Sequence, residues 1–167
     1  MITVGVLTIS DKGSRGERVD QSGKVISEMV ERIGGKIRYY QIIPDEKDII
    51  QEELIKGADK LRLDLILTSG GTGLGERDVT PEATLAVIEK EVPGFSEVIR
   101  TESFKKNNRS ILSRGVAGMR KKCLIINLPG SPKGVRESLE IVLEAIPHGI
   151  EIIKGEVTEC AGPEKEN

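Results

Sequence analysis

The residues best suited to chemistry lie in one short segment, where an apolar strand runs into a glycine loop and then an acid. The loop Ser69–Gly75 contains four glycines. Glycines let backbone N–H groups approach a bound group closely, and successive N–H groups form a nest for anions. Asp78 follows, and then Thr80-Pro81-Glu82, which predicts a helix that begins with Thr80 as its N-cap. This order of elements suits a phosphate and its metal ion.

Other polar residues also follow predicted strands. Asp45 and Asp78 could share an oxygen-ligated Mg²⁺ with substrate phosphates. Two structural alternatives stay open, since Asp45 with Asp48 resembles an acidic capping box and Asp78 can be a turn residue. Ser131-Pro132 is equally an ordinary helix start and an anion site, and turn chemistry alone would explain Ser10-Asp11. The cations that could neutralise phosphates are Arg15, Arg18, Arg77, Lys133 and Arg136.

Several kinds of site are excluded by what the chain lacks. His148 is the single histidine, and it lies in a predicted Pro-His-Gly turn, which excludes a Ser-His-Asp triad and a histidine-rich metal site. There is no Cys-x-x-Cys pair for structural zinc. The glycine loop matches neither the Walker A sequence nor G-x-G-x-x-G, so a nicotinamide site is weakly supported.

Length and composition indicate one domain with a well-buried core. The 167 residues are 37% hydrophobic and 31% charged. A net charge of −2, with only two Phe and two Tyr, argues against a nucleic-acid partner. The sequence contains no run of 18 apolar residues, so it predicts no membrane span. Cys123 and Cys160 form no disulfide framework and no signal peptide is visible, so we expect a cytoplasmic protein.

The elements that must position these residues alternate between strands and helices. The pattern predicts an α/β fold, a three-layer α/β/α domain over residues 1–155 with a mainly parallel sheet, followed by a polar tail at 156–167. Ligands of such sheets bind beyond the carboxyl ends of the strands, where segments 10–20, 69–78 and 128–131 fall. Strands are predicted at 1–9, 36–43, 64–68 and 122–128, helices at 21–33, 46–61, 81–91, 95–107, 133–145 and 147–154, a loop at 10–20 and irregular chain at 113–119.

Several of these segments together resemble the MogA/MoaB family of molybdenum-cofactor biosynthesis proteins. They are Ser69–Gly73, Arg77–Thr84, Leu112–Arg114 and Asn127–Ser131, with Thr8–Asp11 and Ile43–Asp45 fitting the same pattern. The resemblance covers residues 2–155. It implies a molybdopterin-binding fold and molybdopterin adenylyltransferase activity. In that reaction ATP and molybdopterin give adenylylated molybdopterin and pyrophosphate, with Mg²⁺ as the metal.

The resemblance also implies roles for particular residues. Asp45 and Asp78 match two catalytically important aspartates and are the expected metal ligands. The expected substrate-binding residues are Ser10, Asp11, Ser69, Gly70, Gly71, Thr72, Gly73, Glu82, Pro129, Gly130 and Ser131. The family is usually trimeric and sometimes hexameric, and a protein that inserts molybdate is a candidate partner. Because Phe95–Leu112 is more apolar than an exposed connection needs, we expect it to form the interface.

One departure from the family leaves the subgroup open. After Ser131 the chain runs directly to Pro147, without the long insertion that some bacterial MogA proteins carry. MoaB-type and eukaryotic relatives share this compact form. Two alternatives to an enzyme follow, a molybdopterin carrier without chemistry and a scaffold whose trimer organises partners. Release of pyrophosphate from ATP would distinguish the enzyme from a carrier.

Overall fold

A six-stranded sheet with helices on both faces makes up the fold in the computed structural model, which describes residues 1–156. Apart from Glu156, the predicted tail lies outside these residues. The strands are β1 Ile2–Ile9, β2 Gly35–Ile43, β3 Leu65–Ser69, β4 Lys90–Glu91, β5 Ala117–Arg120 and β6 Cys123–Leu128. The helices are α1 Asp11–Ser14, α2 Gln21–Glu31, α3 Lys47–Ile55, α4 Thr80–Val87, α5 Pro93–Lys106, α6 Pro132–Val142 and α7 Ala145–Lys154, with a π-helical turn at Lys56–Lys60 and a 3₁₀ turn at Asn108–Leu112.

The sheet is mainly parallel, as predicted. Its order is β2-β1-β3-β6-β5-β4, in which β2, β1, β3 and β6 are parallel and β5 and β4 are antiparallel. The register aligns the carboxyl ends of the parallel strands, because Ile9 pairs with Ile43 and Ser69 pairs with both Thr8 and Leu128. The segments that leave these four strands therefore emerge at one edge of the sheet.

The core lies on both faces of the sheet, which confirms the predicted three layers. Along β3, Leu65 and Leu67 pack into one hydrophobic cluster while Ile66 packs into the other. The first cluster is covered by α2, α5, α6 and α7, and the second by α3 and α4. Each fully buried aliphatic side chain of this kind contributes about 1.5–3 kcal/mol to folding, so the sheet is a rigid base for its loops. None of the helices within residues 1–156 is both long and apolar enough to cross a membrane.

The antiparallel end of the sheet was not predicted. The helix expected at 81–91 ends at Val87, and the chain then forms β4; the segment expected to be irregular contains β5. These two short strands pair with each other, and a Cβ atom at Gly118 would lie 2.6 Å from the carbonyl oxygen of Lys90. The pairing depends on this close approach between distant residues, which local sequence patterns do not reveal.

Two smaller expectations also differ from the structure. The loop predicted at 10–20 begins with the short helix α1, because the side chain of Ser10 accepts a hydrogen bond from the backbone N–H of Gly13 (3.0 Å) and caps it. His148 lies within α7 and not in a turn. Its side chain is exposed beside Glu151, which agrees with the predicted surface role.

Candidate active site

The carboxyl ends of β1, β2, β3 and β6 bring the predicted site segments together. The backbone N–H of Ser10 donates to the carbonyl of Ile43 at 2.8 Å, which joins the ends of β1 and β2. The hydroxyl of Ser69 donates to the carbonyl of Pro129 at 2.9 Å, which joins the ends of β3 and β6. The glycine loop therefore lies between the Ser10 turn and the turn that starts at Pro129.

The glycine loop takes a path that only glycine allows at two positions. Gly70 and Gly71 have φ values of +100° and +66°, in the left-handed region that side chains disfavour. A Cβ atom on Gly70 would overlap with the carbonyl oxygen of Ile9, and one on Gly71 would overlap with Oγ1 of Thr80. The backbone can therefore pass between the end of β1 and the start of α4.

Asp45 is held by a reciprocal pair of hydrogen bonds with Asp11. Its Oδ2 accepts from the backbone N–H of Asp11 at 2.9 Å, and Oδ1 of Asp11 accepts from the backbone N–H of Asp45 at 3.0 Å. Asp45 does not cap a helix, because the N-cap of α3 is Glu46 and that helix has no side-chain cap. The capping alternative for Asp45 is therefore wrong, and its second oxygen, Oδ1, takes part in none of the hydrogen bonds found within residues 1–156.

Negative charge is concentrated at this edge of the sheet. Burial raises the pKa of Asp45 above its ordinary value, and the charges of Asp11 and Asp78 add to the rise. Hydrogen bonds from Arg77 lower the pKa of Asp11, and the same guanidinium bonds Glu46 at 2.8 Å. Arg77 is thus already paired with carboxylates, while Asp45 has no cationic partner of its own in the described part of the chain. A bound cation would offset the repulsion among these carboxylates.

Asp78 has the turn role that the sequence left open, and its role at a metal stays a prediction. Its Oδ2 accepts a hydrogen bond from the backbone N–H of Gly75 at 2.8 Å, so it is a turn residue of the glycine loop. A Cβ atom at Gly73 or Gly75 would come within 2.9 Å of this oxygen, so the loop closes tightly around the carboxylate. Asp78 also lines a cavity, and its Oδ1 takes part in none of the hydrogen bonds found within residues 1–156.

Two adjacent cavities open at this edge, with volumes of about 470 and 620 Å³. Gly71, Gly130 and Ser131 line both of them, so the glycine loop and the Pro129 turn form the wall between them. Asp78 lines the smaller cavity and Asp45 the larger. The arrangement can hold two ligands side by side, with one carboxylate for each.

Most of the predicted site residues line these cavities. Those in the smaller cavity alone are Thr72, Gly73, Asp78 and Pro129, and those in the larger cavity alone are Ser10, Asp45 and Gly70. Ser69, Asp11 and Glu82 line neither. Ser69 is buried and joins two strand ends, Asp11 pairs with Arg77, and Glu82 pairs with Arg114. These three residues make contacts next to the site without lining its cavities.

Arg114 organises the glycine loop, although the sequence reasoning assigned it no role. Its Nε donates to the carbonyl of Gly73 at 2.7 Å and its Nη2 to the carbonyl of Asp78 at 2.6 Å. Its Nη1 bonds Glu82 on α4, which lowers the pKa of that carboxyl. One guanidinium therefore holds both sides of the loop against α4. The only sequence signal was its place in the Leu112–Arg114 segment.

Other cavity walls come from residues to which the sequence analysis gave no substrate-binding role. In the smaller cavity they include Arg100, Ser103, Lys106, Asn107, Arg109, Ser110 and Ser113, from α5 and the chain after it. In the larger cavity they include Arg18, Asp20 and Ser22. Of the cations proposed for phosphates, Arg18 and Lys133 line cavities, whereas Arg15 and Arg136 pair with glutamates. The helix at 95–107 was predicted as part of the interface segment and not of the site, and the fold turns polar residues of α5 towards the glycine loop.

The acidic residues suit a metal ion whose coordination shell is completed by oxygen atoms of a substrate. Residues 1–156 contain no group of three or more His, Cys, Asp or Glu side chains placed to hold a metal. Asp45 and Asp78 offer a few oxygens on either side of the glycine loop. Mg²⁺ prefers one or two carboxylates together with substrate phosphates to a shell made only of protein ligands, so this donor set suits Mg²⁺ delivered with a nucleotide.

Comparison with known proteins places the chain and its fold in one family. Residues 5–148 match the model of a probable molybdopterin binding domain. The chain is 48% identical to the molybdopterin adenylyltransferase of Helicobacter pylori over 92% of this chain and 89% of that protein. It is 37% identical to the molybdopterin adenylyltransferase of Escherichia coli K12 over 96% of this chain and 89% of that protein.

A solved structure agrees with these matches. The molybdopterin biosynthesis enzyme MoaB of Thermus thermophilus superposes with a TM-score of 0.88 at 50% sequence identity. The match covers 93% of this chain and 98% of that one. Both the sequence and the fold are therefore similar to those of proteins with these names over nearly their full lengths.

Proposed function

The chain belongs to the family of molybdopterin-binding domains, and on that premise we propose that it is a molybdopterin adenylyltransferase of molybdenum-cofactor biosynthesis. The observation that carries the proposal is the pair of adjacent cavities, which share Gly71, Gly130 and Ser131 and contain one aspartate each. A reaction between two phosphate-bearing substrates needs two neighbouring sites with their phosphates at the common wall. The relatives named molybdopterin adenylyltransferase cover nearly the whole chain and support the same assignment.

The proposed reaction joins the terminal phosphate of molybdopterin to the α-phosphorus of ATP. A phosphate oxygen of molybdopterin forms a bond to the α-phosphorus, the bond from that phosphorus to the bridging oxygen of the β-phosphate breaks, and pyrophosphate leaves with the electron pair. A phosphate monoester is already largely ionised at pH 7, since its second pKa is about 6. The nucleophile needs no general base, which is consistent with the fact that His148 lines neither cavity.

The chain's own groups would act by positioning and by charge. The backbone N–H groups of Gly71, Thr72 and Gly73 and the start of α6 at Ser131 would bind phosphates near the common wall, whereas the N–H of Gly70 already donates to the carbonyl of Leu128. Holding two reactants in line supplies a large part of the rate enhancement of a transfer reaction. Arg18 and Lys133 offer positive charge at the walls of the two cavities.

Asp45 and Asp78 are the residues that would hold Mg²⁺ together with the phosphates of ATP. When bound, the ion would neutralise charge on the phosphate oxygens as pyrophosphate leaves. The raised pKa of Asp45 supports this role, because burial and two neighbouring carboxylates make the site favourable for a cation.

The assembly we propose is a homotrimer, with a hexamer as the next larger form. Away from the smaller cavity, α5 and the 3₁₀ turn expose Val98, Phe104 and Ile111, which supports the predicted interface over Phe95–Leu112. We place the activity in the cytoplasm, where ATP is supplied. A protein that inserts molybdate into the adenylylated product is the partner that the reaction implies.

The test of the function is pyrophosphate release by purified protein supplied with ATP, Mg²⁺ and molybdopterin. We expect release that requires molybdopterin and is at least tenfold slower in Asp78→Asn. A MoaB-type carrier or scaffold would bind molybdopterin but release no pyrophosphate above the background without protein. That result would exclude the enzyme and leave the carrier.

A further inference from the structure

Thr80 carries a buried hydroxyl group that is committed to no partner. Its side chain is fully buried, and Oγ1 has no hydrogen-bond partner within residues 1–156. Thr80 is not the N-cap that the sequence predicted, because Val79 occupies that position and Thr80 is the first residue of α4. A buried polar group without a partner destabilises the fold, and such groups in native proteins need an explanation.

The rest of Thr80 is firmly placed. Its backbone N–H donates to the carbonyl of Gly71 at 3.1 Å, and its carbonyl accepts from the hydroxyl of Thr84 at 2.9 Å. Thr84 in turn accepts a hydrogen bond from the side chain of Asn127 on β6 at 3.0 Å. The start of α4 is therefore fixed to the glycine loop and to the sheet, and only the hydroxyl of Thr80 remains free.

This hydroxyl lies beside the free oxygen of Asp45. A Cβ atom built on Gly71 would overlap with Oγ1 of Thr80 and would come within 3.3 Å of Oδ1 of Asp45. Both oxygens therefore converge on the same side of Gly71. Oδ1 is the carboxylate oxygen that Asp11 does not occupy, because Asp11 donates to Oδ2. The Thr80 hydroxyl, which has no acceptor, and Oδ1 of Asp45, which has no donor, thus both face Gly71.

We propose that Thr80 is a positioning residue for Asp45, and that its hydroxyl donates a hydrogen bond to Oδ1 of Asp45 when a substrate phosphate settles on the glycine loop. With Asp11 on Oδ2 and Thr80 on Oδ1, the carboxylate would be fixed in one plane. A carboxylate has about four lone-pair sites, so two would remain for a cation. Gly71 lines both cavities, which makes it the backbone position whose movement a bound phosphate would transmit to Thr80. The proposal rests on the proposed function, since it assigns Thr80 to the same reaction.

The variants Thr80→Val and Thr80→Ser test this role. Valine keeps the shape of threonine and removes the hydroxyl, while serine keeps the hydroxyl. We expect Thr80→Val to lower kcat about tenfold without lowering the unfolding temperature of the ligand-free protein, because the hydroxyl makes no bond there. Thr80→Ser should restore most of kcat. Ser96→Ala is the matched control, since Ser96 on α5 also has a buried hydroxyl without a partner in the described chain but lines neither cavity.

A double-mutant cycle separates positioning from a general structural effect. In protein that already carries Asp45→Ala, Thr80→Val should have almost no further effect on kcat, because residues that act through one another are not additive. A tenfold further loss in that background, or an unchanged kcat in Thr80→Val alone, would overturn the proposal.

A crystal structure with ATP and Mg²⁺ tests the contact even if no adenylylation is found. The proposal expects Oγ1 of Thr80 within about 3.2 Å of Oδ1 of Asp45. A hydroxyl that stays unpaired, or that bonds another group, would overturn it. An absent product together with the expected contact would contradict the proposed function but not the pairing of Thr80 with Asp45.

Discussion

Single residues at the site show a conflict between stability and function, and Asp45 is the clearest case. Its carboxylate is partly buried, lies near Asp11 and Asp78, and has a raised pKa. Arg77 would be the natural counter-ion, but it is bonded to Asp11 and Glu46. Sites that bind charged ligands often keep such unfavourable groups at the expense of stability.

Replacement of Asp45 by Asn should therefore leave the fold at least as stable at neutral pH. A raised pKa means that the folded protein holds the proton more tightly than the unfolded chain does. The stabilising contribution of Asp45 is complete below its ordinary pKa of 3.8 and is lost as the pH rises through the raised value. We expect Asp45→Asn to unfold at an equal or higher temperature at pH 7, with the difference from wild type shrinking towards pH 4. Thermal unfolding followed by circular dichroism measures both, and a clear fall at pH 7 would indicate a structural role instead.

The activity of the aspartate variants should fall, although their stability should not. Asp45→Asn and Asp78→Asn should each lower kcat at least tenfold, because each removes one charged ligand of the proposed metal. Asn at 78 can still accept the hydrogen bond from Gly75, so the loop should keep its shape. Steady-state kinetics on the folded variants provide the measurement. Full activity in either variant would remove that aspartate from the proposed metal site.

At the scale of elements, the glycine loop depends on support from a distant segment. Arg114 bonds the carbonyls of Gly73 and Asp78, and its own backbone N–H donates to the carbonyl of Thr72 at 2.9 Å. Two of these three bonds come from the fork of the guanidinium, which lysine cannot reproduce. These bonds hold the part of the loop from Thr72 to Asp78 before any ligand arrives.

Substitution of Arg114 by Lys should loosen this loop while the sheet stays intact. We expect backbone amides in residues 72–78 to exchange hydrogen about tenfold faster, and kcat to fall by a similar factor. Arg136→Lys is the control, because Arg136 pairs with Glu28 on the exposed surface. Hydrogen exchange measured by mass spectrometry tests the prediction. Unchanged exchange in 72–78 would mean that Arg114 does not hold the loop.

The strands and helices also show which parts of the fold can be predicted from the sequence. Strands β1, β3 and β6 were predicted because each is a mainly apolar run that ends at a polar or glycine-rich turn, and β2 because a loosely alternating pattern ends at Pro44. A parallel sheet brings such ends to one edge. The pairing of β4 with β5 was missed, since both strands are short and their contact depends on Gly118. The support by Arg114 and the position of Thr80 were missed for a related reason. Each depends on which distant groups meet at the glycine loop, and no local pattern encodes that.

For the whole molecule, the face formed by α5 and the 3₁₀ turn has two sides with different properties. Its inner side lines the smaller cavity with Ser103, Asn107 and other polar residues. Its outer side exposes Phe104 and Ile111, which are 47% and 65% accessible. Association through the outer side would steady the cavity wall, so assembly and substrate binding are expected to depend on each other.

The proposed trimer predicts a mass of three times 18.2 kDa in solution. Ile111→Glu should shift the protein towards the monomer, because it places a charge in the apolar interface. Leu61→Glu is the control, since Leu61 is similarly exposed but lies on another face, after the π-helical turn. Light scattering at micromolar concentration measures both. A wild-type protein that is only monomeric would contradict the trimer, and an Ile111→Glu protein that stays trimeric would move the interface elsewhere.

The central claim is that this chain joins AMP to molybdopterin, and mass spectrometry of the reaction product tests it most directly. Purified protein would be incubated with ATP, Mg²⁺ and molybdopterin, with Asp78→Asn as the inactive control. We expect a product whose mass equals that of molybdopterin plus one adenylyl group, together with one pyrophosphate for each molecule of this product. Molybdopterin that is bound but recovered with its mass unchanged, at saturating ATP and Mg²⁺, would contradict it.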